Sequence, residues 1–193
     1  MEKLVPGRSC GECTVCCTVP AIDNAEIQKA AGATCRHCDR GCAIYDRRPA
    51  VCGDYFCGWR QLEIFSDDWR PDKSGVFAEL ETDVPDHLQS SVGISLTLIA
   101  NPLKTIRQSW FADFVVTGLQ GGVPLFLALP GPPGFKGAKV SLNTPEMVRA
   151  TSGPRSGIRA HLESALKVLN RYAFKPHVMR NGGNDVGRPP GDA

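Results

Sequence analysis

Apolar positions recur regularly only in the later part of the chain. Residues 93–100 (GISLTLIA) and 123–129 (VPLFLAL) are apolar, β-rich runs that predict strands. Residues 76–80 and 137–142 predict two shorter ones. Leu103, Ile106, Trp110 and Phe114 recur every three or four residues, which predicts one amphipathic helix over about 101–118. Asn101 is placed to cap it and Pro102 to open its first turn. Gly121-Gly122 breaks the pattern, and Thr144-Pro145 starts a short helix. After Pro154 a single stripe of Ile158, Leu162, Ala165, Leu166, Leu169 and Tyr172 predicts a last helix.

Before Val76 no period is sustained. The one helical stretch is 23–31 (DNAEIQKAA), with Asp23 or Asn24 as cap and Gly32 as stop. Phe56, Trp59, Leu62, Ile64, Phe65 and Trp69 then form a dense apolar group, suited to sealing the first part of the chain against the second. The fold class expected is α+β. An irregular cysteine-rich metal-binding module, 1–70, packs on a small α/β layer, 71–175, with about four short strands and two longer helices. A flexible tail follows over 176–193, where Gly, Pro and polar residues offer no core.

Chemistry changes this picture in one place. All nine cysteines lie between positions 10 and 57: Cys10, Cys13, Cys16, Cys17, Cys35, Cys38, Cys42, Cys52 and Cys57. Three readings compete: a disulfide framework, a thiolate metal site, and a set of redox or nucleophilic cysteines. The opening residues carry no apolar secretory segment, and nine is odd, so disulfides fit poorly. Metal binding fits better, because a Cys-x-x-Cys turn lets two thiolates converge on one ion. Soft thiolates select zinc, copper(I) or iron–sulfur. Cys10-x-x-Cys13-x-x-Cys16 matches part of a ferredoxin ligand run, although the full spacing is missing. Eight thiolates suit two four-coordinate zinc ions or two clusters, and nine suit a three-zinc cluster. His37 is a possible replacement ligand, whereas His87, His161 and His177 have no ligand spacing to the cysteines. Arg48, Tyr45 and Asp46 are candidates to support the site, Arg48 by offsetting thiolate charge.

The run Cys-x-x-Cys-x-x-Cys-Cys followed by GCAIYDRRPAVCGDYFCGW resembles the YkgJ-type cysteine-cluster family, a CxxCxxCC zinc- or iron-chelating domain. The later WRPDKSGVF is similar to a subgroup of it. The resemblance covers 10–59 closely, and Cys38 is additional to its pattern. It implies metal chelation by Cys10, Cys13, Cys16, Cys17, Cys35, Cys42, Cys52 and Cys57, and supplies no substrate.

A net charge of +2 argues against strong nucleic-acid binding. Residues 61–99 hold eight acidic and two basic residues, while 149–180 hold seven basic and one acidic, so two faces of opposite sign are expected. No apolar run is long enough to span a bilayer. The glycines of GPPGFKG lack nucleotide-motif spacing, and no hydrolase or zinc-protease motif occurs. The function expected is a cytoplasmic protein holding zinc in a thiolate cluster, structural or sequestering. The alternatives are an iron or iron–sulfur redox protein and a metal delivery or maturation factor. The expected partners are metal ions, with a protein as a further candidate; no membrane is expected, and nucleic acid is disfavoured.

Overall fold

The computed structural model describes residues 4–179. The first third folds as short pieces. Helix α1 (Val15–Thr18) leads to a hairpin of β1 (Ile22–Asp23) and β2 (Gln28–Lys29). Three single-turn helices follow: α2 (Ala50–Gly53), α3 (Gly58–Gln61) and α4 (Pro71–Ser74). The hairpin replaces the helix expected over 23–31. Asn24 Oδ1 accepts from the Glu26 N–H (2.9 Å), which makes a turn rather than a helix cap. Lys29 turns inward, only 5% exposed, and its Nζ donates to the carbonyls of Thr18 (2.8 Å), Pro20 (2.5 Å), Ala33 (3.0 Å) and Ala30 (3.3 Å). A nine-residue helix is marginal by itself. A buried ammonium that ties four carbonyls outweighs it.

Arg8 anchors the segment before α1. Its guanidinium donates to the carbonyls of Trp59 (2.5 Å), Leu62 (3.1 Å) and Phe65. It also lies over the Trp59 ring and pairs with Asp67 (3.3 Å).

Strands β3 (Val76–Glu81), β4 (Gly93–Leu98), β5 (Leu125–Leu129) and β6 (Ala138–Ser141) form one sheet in that order. The outer pairs are antiparallel and β4–β5 is parallel. A parallel pair needs a crossover. Here it is made by α5 (Pro102–Ile106) and α6 (Ser109–Gln120). One continuous helix was expected over this stretch, but the chain breaks at Gln108, whose backbone is extended. The reason is burial: Ile106 and Phe111 are both fully buried. Five residues along a continuous helix would point them about 140° apart.

Helices α7 (Pro145–Ala150) and α8 (Arg155–Asn170) complete the helical layer. The register places Leu96, Leu98, Leu125 and Leu127 on the sheet face that meets Phe111, Val115, Ile158 and Leu162. Each such side chain contributes roughly 1.5–3 kcal/mol on burial. The opposite face carries Phe77, Glu79, Ser95 and Thr97. The N-terminal segment lies over it. Val19, Pro20 and Ala21 share a groove with Glu79, Ser95 and Thr97, and Tyr55 Oη donates to Glu79 Oε1 at 2.6 Å. Strand β4 is therefore buried along its whole length. The architecture is a mixed α+β fold in three layers.

Near the C-terminus, Pro176 bridges to Phe135 and the His177 N–H donates to Gly134 O (2.8 Å). The rest of the tail expected over 176–193 lies, from position 180 onward, outside the described residues. Among the described residues, no helix is long and apolar enough to cross a membrane.

Candidate functional site

The cysteine segments are positioned by backbone hydrogen bonds. The Cys13 N–H donates to Cys10 O (2.9 Å), closing a turn in which Gly11 adopts a left-handed φ of 52°. Cys16 and Cys17 lie in α1, and the Cys35 N–H donates to Cys17 O (2.8 Å), which joins the two halves of the cysteine sequence. Cys38 and Cys42 face each other in an isolated bridge. Cys52 lies in α2, and Cys57 precedes α3, accepting the Arg60 N–H at its carbonyl (2.9 Å).

These segments enclose a cavity of about 150 Å³. Cys10, Cys13, Cys16, Cys17, Cys35, Cys42, Cys52 and Cys57 all line it; Cys38 is not among the lining residues. His37, Tyr45, Arg48 and Arg60 line it too, with an apolar remainder that includes Ile22, Ile27, Phe56, Trp59 and Phe77. No Asp or Glu is among the lining residues.

The thiols differ in charge state. Cys16 and Cys17 share a hydrogen bond and titrate as a pair. That bond, assisted by the backbone N–H groups of both residues and by the Arg48 guanidinium, lowers Cys16 from 9.0 to about 6 against the opposing effect of burial. The same bond, with burial and the neighbouring Cys16 charge, raises Cys17. The two shifts run in opposite directions, so negative charge is favoured on Cys16 and the proton on Cys17. Burial raises Cys10, Cys13 and Cys52, and pushes Cys57 up to about 11. Arg60 acts in the lowering direction on Cys10, but burial and the Cys16 charge prevail. Burial lowers Lys29, while the charges of Cys35, Cys17, Cys16 and Cys52 oppose that shift.

The expected metal centre is not supported. Among the described residues, no group of three or more His, Cys, Asp or Glu side chains is placed to hold a metal ion. The physical reason is the shape of the site. Zinc needs sulfurs about 2.3 Å from one point. Among the described residues no three such side chains meet that condition, although eight cysteines line one cavity. Shared lining is a looser condition than shared ligation, and Cys-x-x-Cys spacing satisfies the first without ensuring the second.

No family model matches the chain, and neither a curated protein nor a solved structure matches it. The resemblance to the YkgJ-type cluster family is thus corrected. With it go zinc, iron or an iron–sulfur cluster as cofactor and metal ions as partners. The structural-zinc, iron-redox and metal-delivery functions fall on the same finding.

Arg48 and Tyr45 were expected near the cysteines, and both line the cavity. Arg48 Nε donates to Tyr45 O (2.9 Å), and the guanidinium stacks 3.8 Å from the Tyr45 ring centroid. Sequence reasoning missed Arg60, Lys29 and the Tyr55–Glu79 hydrogen bond. Arg60 had a usable signal: it follows the apolar Trp59 three residues after a candidate cysteine. Lys29 had a weaker one, two positions after Ile27 on the same strand-like face.

Proposed function

We propose that the protein takes a small, largely apolar electrophile into the thiol-lined cavity and captures it covalently on Cys16. The observation that carries this reading is the placement of the Cys16–Cys17 pair in the wall of a partly open, mainly apolar cavity, beside Arg48. A thiolate is the nucleophilic form of cysteine, and neighbouring positive charge favours it. An α,β-unsaturated carbonyl compound suits the arrangement. The Cys16 sulfur forms a bond to the β-carbon, and the π electrons move to the carbonyl oxygen. Cys17, hydrogen-bonded to Cys16, gives its proton to the α-carbon and regains one from water. No oxidant is needed.

Several features support the reading. All nine cysteines are free thiols. Thiols persist in a reducing compartment, so a cytoplasmic location belongs to the same proposal. So does the division of the chain into 1–70, bearing the cavity, and 71–175, the platform beneath it. Eight of the nine cysteines belong to this candidate site as thiols, and Cys38 stands outside it.

The test is exposure of the intact protein to limiting methyl vinyl ketone at pH 7, followed by mass spectrometry of peptides. The first adduct is expected on the Cys16–Cys17 pair, and Cys16→Ser should abolish that fast phase. Equal early labelling of Cys38 and the pair would overturn the proposal.

A further inference from the structure

The cavity wall carries two guanidinium groups against the single negative charge favoured on Cys16. Two guanidinium groups, Arg48 and Arg60, stand in its wall with no carboxylate side chain among the lining residues. Arg60 is only 8% exposed, and its Nε and Nη1 have no hydrogen-bond acceptor. Its guanidinium lies 5.7 Å from the Phe56 ring centroid, a weak substitute for an anion. A desolvated cation without a partner is costly, and buried charges are ordinarily paired. Arginine is also the side chain whose planar fork best matches a carboxylate.

The size of the cavity limits the rest of the ligand. At about 150 Å³ it equals an apolar cavity that admits benzene. Ile22, Ile27, Phe56 and Trp59 offer an apolar surface for a body of that size.

We propose that the ligand of this cavity is a small carboxylic acid in its anionic form, with a benzene-sized apolar body and its carboxylate drawn to Arg60 and Arg48. This names the substrate class of the same site and rests on the cavity being where ligand enters. It does not require capture by Cys16. An unsaturated carboxylic acid of this size would satisfy both proposals.

Benzoate tests it, because benzoate has no electrophilic carbon of the required kind. Its neutral isostere benzamide is the control. Binding to the full chain is read by calorimetry and by tryptophan fluorescence, to which the cavity-lining Trp59 contributes, in the wild-type protein and in Cys16→Ser. Benzoate should bind saturably in both, with benzamide about 10- to 100-fold weaker, the value of a charge-assisted pair. Arg60→Gln should lose a similar factor and Arg60→Lys should recover part of it. If Arg60→Gln fails to fold, Arg48→Gln provides the second variant, with a loss in the same direction. Equal affinity for benzoate and benzamide, or no saturable benzoate binding, overturns the proposal. Absence of fast electrophile capture in the wild-type protein, with benzoate binding intact, would sink the Cys16 reading alone.

Discussion

The ionisation of the Cys16–Cys17 pair can be tested by alkylation across pH. The ordinary thiol value is 9.0, and Cys16 stands near 6. At pH 5 a thiol at 6 is about 9% ionised, against about 0.01% at the ordinary value, a ratio of roughly 900. Nucleophilicity falls with basicity, and three units lower it roughly 20-fold. The net advantage is about 40-fold at pH 5, about fourfold at pH 7, and reverses by pH 9. Access to the cavity multiplies every rate equally, so the shape of the profile is the clean observable. The native protein and its urea-unfolded form would be labelled with isotope-coded iodoacetamide from pH 5 to 9. Site rates would be read from peptide fragmentation spectra. In the native protein the rate at the pair should rise tenfold per unit below pH 6 and level off above 7. In the unfolded chain it should keep rising to about 9. The hydrogen bond from Cys17 is the leading cause of the lowered value, so Cys17→Ala should move the break upward. A native profile that still climbs tenfold per unit between pH 6 and 8 would refute the reasoning. Stability carries the same sign. A lowered acid favours the folded state fully above the unfolded value and loses that contribution as pH falls through the folded one. For Cys16 that window runs from 9.0 down to about 6.

Two further predictions concern the scaffold. Lys29→Met removes the donor from the carbonyls of Thr18, Pro20 and Ala33; at roughly 1–3 kcal/mol per orphaned group, urea unfolding should show a loss of about 3 kcal/mol or more. A loss under about 1 kcal/mol would show that the ammonium does not tie the hairpin. Gly58→Ala would bring a Cβ to 3.1 Å from Ala78 O and 3.2 Å from Phe65 Cε2; it should cost about 1–3 kcal/mol in thermal unfolding and slow labelling of the pair by displacing the adjoining wall.

The second part of the chain was largely legible before the structure. Alternation and β-rich runs marked all four strands of the main sheet, and the stripe from Ile158 to Leu169 marked α8. Local patterns suffice there because each element buries one repeating face. The break at Gln108 was not legible: it arises because Ile106 and Phe111 must both reach the core. The hairpin at 22–29 was hidden for a related reason. Its helical propensity is local, whereas the carbonyls that hold Lys29 come from both sides of it in the chain.

By itself the sequence confined all nine cysteines to one segment of chain, and eight of them line one cavity while Cys38 does not. Nine cysteines within 48 positions of chain limit how far apart the thiols can lie, without fixing which of them meet. It did not determine what the gathering could hold. Ligation depends on where sulfur atoms point to within tenths of an ångström, and those directions follow from the local backbone of α1, α2 and the turn at Gly11. The tertiary structure decided that eight of the cysteines line a space, that two adjacent thiols differ in acidity, and that two guanidinium groups face that space without a carboxylate. Spacing along a chain limits which groups can meet; only packing sets the geometry, dielectric and charge balance in which they do.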